Sequence, residues 1–144
     1  MIELVIYGEP KAQARHRHRT VQPKDENKKA FVMTYDPDKK YKEDLLTKIQ
    51  HFAPPEPFEC ALRVDLVFHL SRPMNHFGTG RNAGVLKGSA PKHHLTKPDI
   101  DNLQKFLYDS LSGVFWRDDR VIVKGTTSKV YGPRPMTIIT ISEL

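Results

Sequence analysis

Residues 61–70, ALRVDLVFHL, form the most regular stretch of this 144-residue chain. Apolar and polar side chains alternate along it, and a period of two is typical of a β-strand with one buried face. The next regular stretch runs from residue 99 to about 112, where apolar positions recur at helical spacing and Gly113 is the expected terminator. A strand followed by an amphipathic helix predicts a sheet packed against helices.

Four further elements are predicted on either side of this pair. They are a strand at 2–7, a helix from Pro37 to about Phe52, and strands at 121–130 and 136–141. The resulting order, βαβαββ, predicts one α+β (mixed α/β) domain over residues 1–144, with one small mixed sheet and two helices. The polar stretch 11–29 has no apolar periodicity and is interpreted as a loop.

Composition narrows the class of protein and its compartment. The formal net charge is +6 and the pI is near 9.5, which favours a polyanionic partner such as nucleic acid. Cys60 is the single cysteine, so no intrachain disulfide can form. The N-terminus reads as a strand rather than a signal peptide, and no apolar run is long enough for a membrane span. We therefore expect a soluble, cytoplasmic protein with no membrane partner.

Two segments concentrate the positive charge. Arg15, Arg17 and Arg19 alternate with histidines, so in an extended chain the three arginines share one face. Residues 72–97 contain five Lys or Arg and no Asp or Glu, together with four glycines. We predict a basic flexible loop at 72–97 that clamps DNA, and phosphate contacts from the three arginines and Lys97. A solvated loop and a passive insertion are the alternatives.

Acidic residues in the second half of the chain are concentrated in two short segments. Asp99 is expected at the helix N-cap and Asp101 in the first turn, while Lys105 occupies the same helix face one turn later. Asp118 and Asp119 follow the apolar segment 114–116, and adjacent residues of a strand point opposite ways. One member of that pair is therefore expected to join the site.

Carboxylates in a basic protein would repel DNA unless a cation lies between them. Mg²⁺ suits hard carboxylate oxygens and leaves room for water and phosphate, with Mn²⁺ as an alternative, and no organic cofactor is expected. In this interpretation the metal activates the attacking water, and Lys105 stabilises the extra charge of a phosphorane. The alternative without a catalytic role is a capped helix with a surface Asp101–Lys105 salt bridge. Asp109 is a further candidate partner for Lys105.

The motifs D-x-D-N-x-x-K at 99–105 and W-x-D-D at 116–119 resemble those of the RusA-type Holliday junction resolvases. Supporting matches are Gly8-x-Pro10-Lys11 before the arginines, and Tyr35-x-Pro37 followed by Tyr41-Lys42. This resemblance implies a homodimeric, metal-dependent endonuclease that makes paired nicks in four-way DNA junctions. Its catalytic residues would be Asp99, Asp101, Lys105 and Asp119, with the three aspartates as metal ligands and Asp118 as the neighbouring alternative.

Other functions fit parts of this pattern. A nuclease for other branched DNA would use the same site, whereas a non-catalytic DNA-binding protein would leave the acidic cluster without a role. An RNA-processing nuclease is a third possibility, because backbone contacts do not by themselves select the sugar. The dimer interface is not evident from the sequence, although residues 114–116 and the final strands are candidates.

Overall fold

The computed structural model describes residues 1–144, which form seven β-strands and two α-helices. In chain order they are β1 (Ile2–Tyr7), β2 (Arg17–Val21), β3 (Phe31–Tyr35), α1 (Lys39–Ile49), β4 (Leu62–Leu70), α2 (Ile100–Leu111), β5 (Ile122–Lys124), β6 (Thr127–Tyr131) and β7 (Met136–Glu143).

The strand predicted at 61–70 is β4, the centre of the main sheet. It pairs antiparallel with β7, which in turn pairs antiparallel with β1, while β5 and β6 both run parallel to β4 on its other side. Alternate β4 side chains from Leu62 to Leu70 are buried, so the period of two in the sequence marks the face turned to the core. The mixed sheet with two helices confirms the predicted α+β class.

Helix α2 packs its apolar side against this buried sheet face. Leu103, Leu107 and Leu111 are at most 3% exposed and belong to the same core cluster as β4. Gly113 ends the helix as predicted, with a φ of 86° that favours glycine. Phe115 and Trp116 then enter the core at 0% exposure, which fixes the position of the acidic pair that follows them. Neither helix has the length and apolar content to cross a membrane.

An unpredicted hairpin begins within the stretch predicted as a loop, 11–29, and ends beyond it, so the loop prediction is wrong for β2. Strands β2 and β3 pair antiparallel in a separate two-stranded sheet, with Arg17 opposite Tyr35 and Val21 opposite Phe31. Nine of the ten strand residues are exposed and only Val21 is partly covered. Apolar alternation arises when one face of a strand is buried, so a ribbon exposed on both faces leaves no such pattern.

The predicted strand at 121–130 is two strands. A Cβ at Gly125 would lie 1.9 Å from the carbonyl oxygen of Val64, so the chain passes β4 there with no space for a side chain. This close approach separates β5 from β6. The first predicted helix begins two residues later than Pro37, and a 3₁₀ turn at Gln50–Phe52 completes it.

Residues 72–97 fold against the end of β6. They contain 3₁₀ turns at Met74–His76 and Gly80–Asn82. Arg72 donates to the carbonyl of Pro91 at 2.6 Å, and its guanidinium lies 4.3 Å from the ring centroid of Tyr131. These contacts attach the beginning of the segment to the sheet, and its flexibility stays a prediction.

Candidate active site

The N-terminus of α2 presents Asp99 without using its side chain as a cap. Asp99 is the N-cap residue, with extended φ and ψ of −76° and 146°, yet its carboxylate accepts no capping hydrogen bond. The preceding chain is held from β6, where the Lys129 ammonium donates to the carbonyls of Thr96 and Pro98 at 2.8 and 2.9 Å. Because Lys129 fixes this turn, the Asp99 carboxylate is positioned and remains available to a ligand.

Two adjoining clefts run along the exposed side of α2. The first is lined by Ile100, Asp101, Gln104, Lys105, Tyr108, Asp109, Asp119 and Thr127. The second is lined by Gln13, Ala14, Arg15, His16, Asp99, Asp101, Asn102 and Lys105. Asp101 and Lys105 line both clefts, so they lie between Asp119 on one side and Asp99 and Arg15 on the other. The four residues expected to be catalytic therefore surround the first two turns of one helix.

Within the adjacent acidic pair, the structure distinguishes Asp119 from Asp118. The indole N–H of Trp116 donates to Oδ1 of Asp119 at 2.8 Å, and Asp119 lines the cleft with Asp101. Asp118 instead accepts from the backbone N–H of Arg120 at 3.0 Å and lies outside both clefts. The geometry thus favours Asp119 as the member that joins the site.

The Trp116 indole orients the Asp119 carboxylate, a contact that was not predicted; the sequence placed Trp116 in the W-x-D-D motif and in the candidate dimer interface at 114–116. Its ring is 0% exposed, so it holds the Asp119 carboxylate from a rigid part of the molecule. The sequence showed only that Trp116 and Asp119 are three positions apart. That spacing does not by itself predict a hydrogen bond between the indole and the carboxylate.

Replacing Trp116 with Phe is expected to lower the affinity of the site for a divalent cation without unfolding the protein. The change keeps a buried aromatic ring but removes the hydrogen bond that orients Asp119, and losses of such outer contacts typically cost about 10- to 100-fold in metal affinity. The measurement is a titration of the protein with Mg²⁺, with Phe115→Leu as a buried control. A wild-type metal titration for Trp116→Phe would show that the indole serves packing alone.

The donor set of the clefts fits a hard divalent cation. Asp99, Asp101 and Asp119 form no ion pair with a protein cation, and one oxygen of Asp119 is left free by the indole. No three acidic, histidine or cysteine side chains are grouped closely enough to enclose an ion by themselves. Mg²⁺ commonly uses one or two carboxylates and completes its shell with water and substrate phosphate. Ligation of one ion by all three aspartates stays a prediction.

Lys105 has no carboxylate partner. The structure contains no Asp101–Lys105 salt bridge, and the expectation that Asp109 pairs with Lys105 is wrong. Asp109 instead lies 3.4 Å from the ammonium of Lys42, because α1 packs beside α2 and brings that lysine across. The charge of Lys105 is therefore available to a bound anion.

Tyr108 adds a neutral donor to the first cleft. Burial raises the pKa of its phenol, and the negative charges of Asp119 and Asp65 raise it further. Since the ordinary pKa of tyrosine is already about 10, the hydroxyl stays protonated at neutral pH. It can donate a hydrogen bond to an oxygen of a substrate or of a water in the cleft.

Of the four predicted DNA-binding cations, only Arg15 lines the acidic clefts. Arg17 and Arg19 lie further along on β2, with their side chains on one face, and Lys97 is exposed just before the turn that leads to Asp99. The backbone around Arg15 is fixed by two bonds, from Gln13 N–H to the carbonyl of Asn102 at 2.9 Å and from Ala14 N–H to Asp38 Oδ2 at 2.6 Å.

The residues that anchor the Arg15 segment were not predicted. Asp38 is 3% exposed and accepts the Ala14 bond, while Lys42 donates to Asp36 at 2.6 Å. Their only sequence signal was their place within the Tyr35-x-Pro37 and Tyr41-Lys42 motifs. This polar network joins α1, α2 and the N-terminal segment, and it holds Arg15 beside Asp99 and Asp101.

An acidic cleft flanked by cations, on a basic α+β domain, is typical of nucleases that act on a phosphate backbone. The family model of endodeoxyribonuclease RusA matches residues 7–142, so the chain belongs to the RusA endodeoxyribonuclease family. The resemblance drawn from the acidic motifs is thereby confirmed. The chain is also similar to the uncharacterized protein YqaN of Bacillus subtilis (strain 168), with 30% identity over 147 residues that cover 99% of this chain and 96% of the relative.

Proposed function

We propose that this protein is a Mg²⁺-dependent, structure-specific endonuclease that resolves four-way DNA junctions by paired nicks. The observation that carries the proposal is the meeting of Asp101, Lys105 and Asp119 in one cleft, from segments 14 or more residues apart. Membership of an endodeoxyribonuclease family supports the reaction class. Action on chromosomal DNA would place the protein in the cytoplasm.

The charged residues at the centre of the clefts would have distinct roles in phosphodiester hydrolysis. Asp99, Asp101 and Asp119 would hold the cation. When bound, the cation would offset the negative charge of the phosphate and make the attacking water easier to deprotonate. Lys105 stabilises the negative charge that builds on the phosphate oxygens as a P–O bond to water forms and the bond to the leaving oxygen breaks. Arg15, in the adjoining cleft, binds a neighbouring phosphate of the same strand and keeps the scissile bond beside Lys105.

Cleavage of a substrate panel tests this function. The panel contains duplex, fork, four-way junction and RNA substrates of matched length, each incubated with Mg²⁺, Mn²⁺ or EDTA. We expect metal-dependent cuts at symmetric positions in two opposed strands of the junction and an intact duplex. Equal cleavage of forks would favour a general branched-DNA nuclease, cleavage of RNA would favour RNA processing, and binding without cutting would favour a DNA-binding protein.

A homodimer is expected, because two cuts need two active sites and each chain has one acidic site, formed by the two adjoining clefts. The candidate interface at 114–116 is wrong for Phe115 and Trp116, which are fully buried within the protomer. The final strands remain candidates, since Ile138 of β7 pairs with Val5 and Val67 on the sheet face turned away from the core. Sedimentation should give twice the chain mass at working concentration. A fully active monomer would remove the paired-nick proposal.

Arg15 is expected to contribute one phosphate contact to junction binding. Arg15→Ala should weaken affinity and reduce the slope of log K against log salt by about 0.9, because one fewer counterion is released. Arg117→Ala is the matched control, since Arg117 is exposed and already paired with Glu59 at 2.7 Å, away from the clefts. An unchanged slope for Arg15→Ala would exclude a direct phosphate contact.

A further inference from the structure

The hairpin of β2 and β3 has two chemically different faces. One face carries alternating residues of each strand, and its cross-strand pairs are Arg17 with Tyr35, Arg19 with Met33 and Val21 with Phe31. The opposite face carries His18 and Thr20 with their partners Thr34 and Val32. We call the first the cationic–aromatic face. It combines guanidinium groups on one strand with large apolar side chains on the other.

The cationic–aromatic face is exposed although it is rich in apolar surface. Phe31 is 53% exposed, Met33 40% and Tyr35 37%, and none belongs to the core or packs against it. Arg19 reaches across to the sulfur of Met33 at 3.8 Å, so the arginine and the apolar row form one continuous surface. Contiguous exposed apolar groups of this kind usually mark an interaction site.

Charge on the hairpin favours nucleic acid as the occupant. Residues 15–35 hold six Lys or Arg and two Asp or Glu, which gives a net charge of +4 for this segment. A second copy packed on this face about a two-fold axis would bring like charges at Arg17 and Arg19 together. A nucleic acid with unstacked bases can bind both the arginines and the aromatic residues of this face. Its phosphates pair with guanidinium groups, and its bases stack on aromatic rings.

The base of the hairpin is fixed at the rim of the acidic clefts. Arg15 and His16, which line the second cleft with Asp99, lead directly into β2. On the other strand, Tyr35 is followed by Asp36, whose carboxylate accepts from Gln13 at 3.3 Å and from Lys42 at 2.6 Å. Five extended residues span roughly 13 to 17 Å. The hairpin therefore starts at the rim of the clefts, and its strands extend about this distance from DNA held there.

We propose that the cationic–aromatic face binds unstacked bases at the branch point of junction DNA. Arg17 and Arg19 contact the flanking phosphates, and Phe31 and Tyr35 stack on bases that the branch leaves uncovered. In a continuous duplex the base faces are already stacked, so this surface favours branched over linear DNA. The inference deepens the proposed junction activity and names the structural feature of DNA that this hairpin recognises.

Phe31→Ala and Val32→Ala provide a matched test. The two residues are neighbours on β3, Val32 is 67% exposed, and it lies on the opposite face of the hairpin. Binding is measured in EDTA to a four-way junction and to a duplex of equal length, with 2-aminopurine at the branch point. We expect Phe31→Ala to lower junction affinity about tenfold, leave duplex affinity unchanged and remove the fluorescence change at the branch. Val32→Ala should resemble the wild type.

Equal behaviour of the two variants, or a parallel loss on junction and duplex, would overturn the inference. Dissociation of a dimer by Phe31→Ala in sedimentation would also overturn it, since the face would then be a protein–protein contact. The salt slope should be the same for Phe31→Ala and the wild type, because no charge is removed. Since binding in EDTA requires no cleavage, a protein that fails to cut junctions can still give the expected Phe31 result, which separates this inference from the proposed nuclease activity.

Discussion

Asp101→Asn is expected to lower the single-turnover cleavage rate on the order of 10³-fold while junction binding survives or strengthens. The substitution removes a charge with little change in volume, and Asp101 lines both clefts between Asp99 and Asp119. Loss of a charged metal ligand costs several kcal/mol of transition-state stabilisation, which corresponds to about this factor in rate. Binding should not fall, because removing a carboxylate reduces repulsion of the phosphate backbone.

Asp118→Asn is the control for this experiment. Asp118 adjoins the site in sequence, but its carboxylate caps the turn at Arg120 and lies outside the clefts. We expect this variant to cut at close to the wild-type rate. Near wild-type cleavage by Asp101→Asn would reject the acidic cleft as the active site, and strong loss in Asp118→Asn would restore Asp118 as the ligand. Rates are measured with saturating protein, and affinities are measured separately in EDTA.

Lys105→Ala is expected to reduce the single-turnover rate on the order of 10²-fold with much smaller effect on affinity. The ammonium faces both clefts and has no carboxylate partner, so its interaction with the phosphate is strongest when extra negative charge develops. Loss of one such electrostatic stabiliser has an effect of this size. The measurement is the cleavage rate of a saturated junction complex across a range of protein concentrations.

Lys40→Ala, on the exposed part of α1, controls for the loss of one positive charge. It should leave the saturated rate unchanged. If Lys105→Ala bound the junction poorly and yet cut at a normal rate once saturated, the lysine would be a docking residue. If both variants lost rate equally, the effect would come from net charge rather than from the position of Lys105.

The sequence by itself determined the elements whose patterns are local. Alternation at 61–70 predicted the central strand, helical spacing at 99–112 predicted α2, and Gly113 marked its end. These predictions succeeded because one buried face imposes its period directly on the residues that form it. The placement of Asp99 at the N-cap and of Asp101 and Lys105 on one face followed from helix geometry alone.

Only the tertiary structure decided which distant groups meet. The cleft between α2 and the turn after Trp116 is lined by Asp119 and not by Asp118, and helix packing pairs Asp109 with Lys42 rather than Lys105. The hairpin was missed because both of its faces meet solvent, so no buried face imposed a period on its sequence. A local sequence pattern indicates which face of one element is buried. A site assembled from separate segments depends on how the elements pack, and that packing cannot be read from residues adjacent in sequence.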